Sequence, residues 1–137
     1  MDTLVQFLRD RLSDDEQTAR AAMWDEQSDV WTARPPQASY ERYTIVDYCD
    51  DGVVAVTPEN AFDDGVGPHI ARHDPARVLR EVDAKRQLVD KYAQVADNDI
   101  AEPYEYAYGW ANGLGLAVRL LALAYADHPA YRPDWRP

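Results

Sequence analysis

The longest regular alternation of apolar and polar positions runs through His69–Val95, HIARHDPARVLREVDAKRQLVDKYAQV. Val78, Leu79, Val82, Val89, Tyr92 and Ala93 recur at three- and four-residue spacing, while Arg77, Arg80, Glu81, Asp83, Lys85, Arg86, Asp90 and Lys91 fill the other faces. That period puts one side of a helix against a core and the other in water. Asp74 can accept hydrogen bonds from the first free backbone N–H groups, and Pro75 suits the first helical position, where its missing N–H is no loss. A helix over 74–96 follows.

The same reading of Leu4, Val5, Leu8, Leu12, Ala19, Ala22 and Met23 predicts a first helix over 3–23, capped by Asp2 or Thr3 and continuous through the polar run Ser13–Glu16. Residues 24–39 carry Pro35-Pro36 and no period, so they connect, with room for a short strand at Val30–Ala33 and with Trp24 and Trp31 covering the core. In YERYTIVDYCDDGVVAVTPE, β-branched and aromatic residues flank Asp50-Asp51-Gly52. This predicts an antiparallel hairpin over 41–48 and 53–57, closed by a tight turn at Asp51-Gly52, whose backbone needs the positive φ that glycine allows. Two strands alone are marginal, so the hairpin must lie on the helices or recruit a third strand from the Trp31 region.

A last helix is expected over 112–127, its start delayed by Gly109, Gly113 and Gly115 and its end set by His128-Pro129. From Leu114 onward it is apolar on nearly every face except at Arg119, which predicts the most buried helix, with Leu116, Leu120 and Leu123 joining Leu79, Val82 and Val89 in the core. Arg119 interrupts a run already too short to cross a membrane. The fold class is therefore α+β: three main helices packed with a small antiparallel hairpin or three-stranded sheet. Residues 1–137 are read as one domain, with 128–137 a tail that Tyr131 and Trp135 can pin back.

Composition narrows the partners. The chain has 14 basic and 25 acidic residues, a net charge of −11, which works against nucleic-acid backbones and anionic membranes, both of which need a cationic face. Basic partners fit better. Cys49 is the only cysteine, which excludes an internal disulfide, and the charged N-terminus does not read as a signal peptide; a cytoplasmic location is expected.

No stretch carries a catalytic signature. Gly113-Leu114-Gly115 lacks the third glycine and preceding strand of a dinucleotide fingerprint, and no phosphate loop, Cys-x-x-Cys pair or Gly-x-Ser-x-Gly elbow occurs. Cys49 has no basic neighbour to activate it. His69 and His73 stand four apart, a spacing that puts both rings on one helix face, and with His128 and either Asp74 or Asp127 they form a candidate zinc site activating water for hydrolysis. The competing reading makes all three histidines structural. The acidic pairs Asp14-Asp15, Asp25-Glu26, Asp50-Asp51 and Asp63-Asp64 are solvated ends or an array that mimics DNA phosphates to inhibit a DNA-binding protein.

HIARHDPARVLREVDAKRQLVD (69–90) and VRLLALAYADHPAYRPDW (118–135), with the opening DTLVQFLRDRLSDDEQTAR, resemble an uncharacterised family of small proteins from actinobacteria, streptomycetes above all, and their phages. The resemblance implies an acidic N-terminal helix, a Trp-bearing short sheet, the HIARHDP helix and a terminal LALxYADHP block. It implies an accessory or phage-encoded role and nothing catalytic. This chain has Leu123-Ala124-Tyr125 where the family pattern has Leu-Pro-Tyr, and lacks a cysteine that members often carry ahead of that block. The preferred function is a non-enzymatic interaction protein, docking on a protein partner or on itself through Tyr104, Tyr106, Tyr108, Trp110, Tyr131 and Trp135, because aromatics are enriched at interface cores.

Overall fold

The computed structural model describes residues 3–38, 40–56, 65–97 and 104–137. The elements, in order, are α1 (Thr3–Ala21), β1 (Thr32–Arg34), β2 (Thr44–Val46), β3 (Gly52–Ala55), α2 (Val66–Arg72), α3 (Pro75–Asp97) and α4 (Tyr104–Ala122), with single 3-10 turns at Leu123–Tyr125 and Pro133–Trp135. This is an α+β fold. Contacts separate two compact units, residues 1–15 with 81–137 and residues 16–80, and each is taken by itself.

The unit of residues 16–80 is built on an antiparallel sheet of order β1-β2-β3. β1 is the third strand that the hairpin needs; it begins two residues later than the Val30–Ala33 expectation and pairs Thr32 with Val46, Ala33 with Ile45 and Arg34 with Thr44. Tyr43, Ile45 and Val56 are buried on the sheet, and Trp31, Ala33, Val54, Val66, Ile70 and Ala71 close over them, which places α2 on that face. Gly67 lets α2 come close, since a Cβ there would lie 2.7 Å from Tyr43 Cδ1. Pro68–Arg72 forms most of this helix, and His73 caps its end.

The hairpin turn differs from expectation. Positive φ falls at Asp50 (62°), and the turn spans residues 47–51, with Gly52 already in β3. Asp47 causes this: its Oδ1 accepts the N–H groups of Cys49 and Asp51, at 2.9 and 3.3 Å, and its own N–H donates to Asp51 O. A carboxylate that organises two backbone N–H groups favours a wider loop than a two-residue turn, and Asp tolerates the left-handed residue this requires. The ladder accommodates it with an irregularity, Ile45 pairing Val54 and Val46 pairing Gly52.

The start of α3 is as expected. Asp74 Oδ1 accepts the Arg77 N–H at 2.9 Å, three residues on, and Pro75 is the first helical residue. Asp74 Oδ2 takes the Trp31 N–H at 3.1 Å, so one buried carboxylate both caps the helix and holds the connection before β1.

In the other unit, α1 buries Leu4, Val5, Phe7, Leu8 and Leu12, α3 buries Val82, Val89 and Ala93, and α4 buries Val118 and Ala122. α1 runs unbroken through Ser13–Glu16. Arg9 pairs with Asp90 at 3.0 Å and Arg86 reaches Ser13 at 3.4 Å, so α1 and α3 are antiparallel here. Tyr92 faces Gly115, joining α3 to α4.

The C-terminal helix corrects two expectations. It begins at Tyr104, eight residues ahead of Asn112, because its glycines tax the helix without breaking it when the opposite side is packed. It is also not the most buried helix: Leu116, Leu120 and Leu123 are 44%, 52% and 38% exposed, and the inward side carries Val118 and Ala122, with Leu114 and Leu121 half-buried. Leu79 is half-buried as well, whereas Val82 and Val89 are core as expected.

Candidate functional site

Between the end of α1 and the hairpin lies an open cleft of about 360 Å³, entirely within the unit of residues 16–80. Ala21, Ala22, Met23, Trp24, Trp31 and Val53 give it apolar walls, and Ser28, Asp47 and Asp51 supply its polar atoms. Each is positioned by local chemistry. Ser28 is 1% exposed; its Oγ accepts the N–H groups of Trp24 and Asp25 at 2.9 and 3.1 Å and donates to Asp25 O at 2.8 Å, which folds residues 24–28 into a tight turn. Trp31 Nε1 donates to Ser28 O at 3.1 Å. Trp24 Nε1 donates to Asp47 Oδ2 at 2.6 Å, tying that turn to the hairpin.

Asp47 is 7% exposed, yet it is held in its charged form. The Trp24 indole N–H, opposed by burial and seconded by the N–H groups of Cys49 and Asp51, holds its carboxyl below the usual carboxylate range. Trp24 also stacks on Tyr48, ring centroids 5.7 Å apart and planes 15° from parallel. The Tyr48 hydroxyl donates to Asp25 Oδ2, and that bond raises the phenol pKa well above its ordinary value. Trp24, expected to cover the core, is 63% exposed at the rim; Trp31 does pack on the sheet core.

Asp47, Cys49 and Asp51 present ligand atoms within 4.8 Å of one another. Both Asp47 oxygens already accept N–H groups, so the cluster reads as the framework of the turn. Of the histidines, His69 on α2 and His73 at its C-terminal cap are brought together, ring centroids 4.5 Å apart, and His73 Nδ1 bonds His69 O at 2.9 Å, which makes that nitrogen the donor. His128 belongs to the other unit, where its Nδ1 accepts the Ala130 N–H at 3.1 Å and Arg11 Nη1 stands 2.7 Å from its Nε2. Asp74 is engaged as the α3 cap, and Asp127 is exposed beyond α4.

The tail aromatics gather around one ring. Phe7 meets Trp135 at 5.0 Å, His128 at 5.7 Å, Tyr131 at 6.1 Å and Tyr125 at 6.3 Å, with the Arg11 guanidinium 5.3 Å from its centroid. Trp135 is 8% exposed, so the tail is pinned back as its residues suggest, and that ring is engaged inside the fold. Tyr125 donates to Asp15 Oδ2 at 2.6 Å; burial first, and that carboxylate second, raise its pKa. Of the other candidate interface residues, Trp110 is 44% exposed with Lys91 Nζ 6.0 Å from its ring, while the side chains of Tyr104, Tyr106 and Tyr108 lie outside the described residues. The acidic pairs are partly employed inside each unit: Asp14 with Arg11, Asp15 with Tyr125, Asp25 with Tyr48 and Asp50 with Arg34; Asp63-Asp64 lies outside the described residues.

Sequence reasoning missed the cleft. Ser28 and Asp47 meet Trp24 through contacts 4 and 23 residues apart, and only Trp24 and Trp31 were marked by their type. No helix among the described residues is long and apolar enough to cross a membrane. Comparison with curated proteins and with solved structures gives no match. The chain belongs to a family of unknown function, DUF6221, whose family model matches residues 1–137.

Proposed function

We propose that the protein is a non-enzymatic interaction protein that associates with a second copy of itself through the outer face of α4. The observation that carries this is the exposed stripe Gly109, Gly113, Leu116 and Leu120, alternating three and four residues apart along one side of the helix and continued by Leu123 in the 3-10 turn that follows it. Large residues fill its C-terminal half and glycines its N-terminal half. An antiparallel pair of such helices sets Leu116 against Leu120 of the second copy and Leu123 against Gly113, so bulk meets gap on both sides of the two-fold axis. Trp110 flanks the stripe and extends it. An accessory role of actinobacterial or phage origin, in the cytoplasm, is the setting that the HIARHDP and YADHP blocks and the lone cysteine support.

Sedimentation equilibrium tests this. A reversible dimer is expected at tens to hundreds of micromolar, and it should tighten with salt because each copy carries −11. Leu120→Lys, at an exposed position, should abolish it with an unchanged circular dichroism spectrum. A strict monomer up to about 0.5 mM at every salt concentration would end the proposal.

A zinc site is the second reading, supported by the proximity of the His69 and His73 rings. Metal analysis after dialysis against zinc decides it; less than about 0.1 equivalent bound rules it out.

A further inference from the structure

We propose that the cleft at the end of α1 is a binding site for an alkylammonium cation, its aliphatic body lying against Met23, Trp24, Trp31 and Val53 and its charged nitrogen turned to Asp47 and Asp51. Three observations converge. The walls are apolar and aromatic, with two indoles, the side chains best suited to hold an organic cation. Asp47 is a charged carboxylate at 7% exposure with no cationic side chain paired to it among the described residues, and Asp51 at the same cleft also has none. The hydrogen bonds from Trp24, Cys49 and Asp51 keep Asp47 charged without a cationic side chain beside it, so its negative charge at the cleft wall stays open to a bound cation.

The cavity volume selects the size. About 360 Å³ is far more than a metal ion fills and is at the lower end of small-molecule sites. An anion is excluded by the two carboxylates, and a neutral apolar molecule leaves them unanswered. The cation can be a free amine or the side chain of a lysine on another protein, which present the same chemistry. The site and the α4 face lie in different units, so either stands without the other.

Butylammonium, butanol and butanoate, titrated separately into the full-length protein while backbone amide resonances of Met23–Trp31 and Asp47–Val53 are followed, form the test. Butylammonium should shift these resonances with a dissociation constant of about 1 mM or tighter, and butanol and butanoate should not at equal concentration. Asp51→Asn, at an exposed side chain that caps nothing, should weaken butylammonium about two- to fivefold. Val53→Lys, which puts an ammonium into the cleft from its own wall, should block it. A Gly-Lys-Gly peptide separates the two sources: shifts equal to those of butylammonium identify a lysine-accepting site, and shifts from butylammonium alone identify a free-amine site. Equal binding of butanol and butylammonium, shifts from zinc alone, or no shift at about 20 mM would each overturn the proposal.

Discussion

Tyr43 leaves no room for a side chain at Gly67: a Cβ built on that glycine falls 2.7 Å from Cδ1 of the ring and 3.2 Å from Cε1 and Cγ. The ring is 7% exposed and belongs to the sheet core, so it cannot swing out of the way. Gly67→Ala should therefore destabilise the protein by about 1–3 kcal/mol through overpacking, although alanine is the better helix former. Urea unfolding followed by circular dichroism measures it, and a more stable variant would show that α2 stands further from the sheet.

Leucine truncations should separate the two kinds of apolar position. Leu8 is fully buried and Leu120 is 52% exposed. Leu8→Ala should cost about 2–5 kcal/mol, and Leu120→Ala less than about 0.5 kcal/mol when measured on dilute protein. Equal losses would place Leu120 in a core.

These two residues also show what the chain discloses before it folds. α1 and α3 were legible because a polar face opposite a hydrophobic one leaves a single solution, and because Asp74-Pro75 marks a helix start chemically. In α4 the apolar residues surround the axis, so periodicity does not say which side faces inward; Val118 and Ala122 are buried, and Leu116 and Leu120 are not. The cleft was opaque for another reason. Its polar members, Ser28 and Asp47, are ordinary residues whose roles exist only once Trp24 has been brought to both.

Asp74→Ala should destabilise by about 1–2 kcal/mol, as loss of a helix cap does, and should also release the Trp31 N–H. Asp74→Asn, whose single carbonyl oxygen can keep the Arg77 bond while its amide nitrogen cannot accept the Trp31 N–H, should recover only part of the loss in thermal unfolding. Full recovery by asparagine would mean that the Trp31 bond adds nothing to the helix cap.

The Asp47 carboxyl titrates below the usual carboxylate range, so its contribution to stability is complete above about pH 4 and is lost as the pH falls through the lower folded value. Folded and unfolded forms bind the same number of protons from this group at neutral pH, and the unfolded form binds more just above the folded pKa. Stability should then rise with pH across that acid window, and Asp47→Asn should flatten this part of the profile. An unchanged acid limb in the variant would assign it to other carboxylates.

Among the described residues, the Tyr131 hydroxyl is buried without a hydrogen-bond partner. Tyr131→Phe removes an unanswered polar atom while keeping the ring against Phe7, so it should leave the protein as stable or raise its stability by up to about 1 kcal/mol. A loss larger than that would reveal a water serving the hydroxyl.

The sheet ends, among the described residues, in β1 and β3, outer strands of only three and four residues, and β1 carries Arg34, paired with Asp50 at 3.3 Å. Edges this short, one of them charged, give a passing chain too few backbone groups to template a growing fibril. Concentrated solutions of this protein should therefore stay free of amyloid. Two-fold pairing of helices closes on itself and stops at two copies, whereas strand addition would have no natural end.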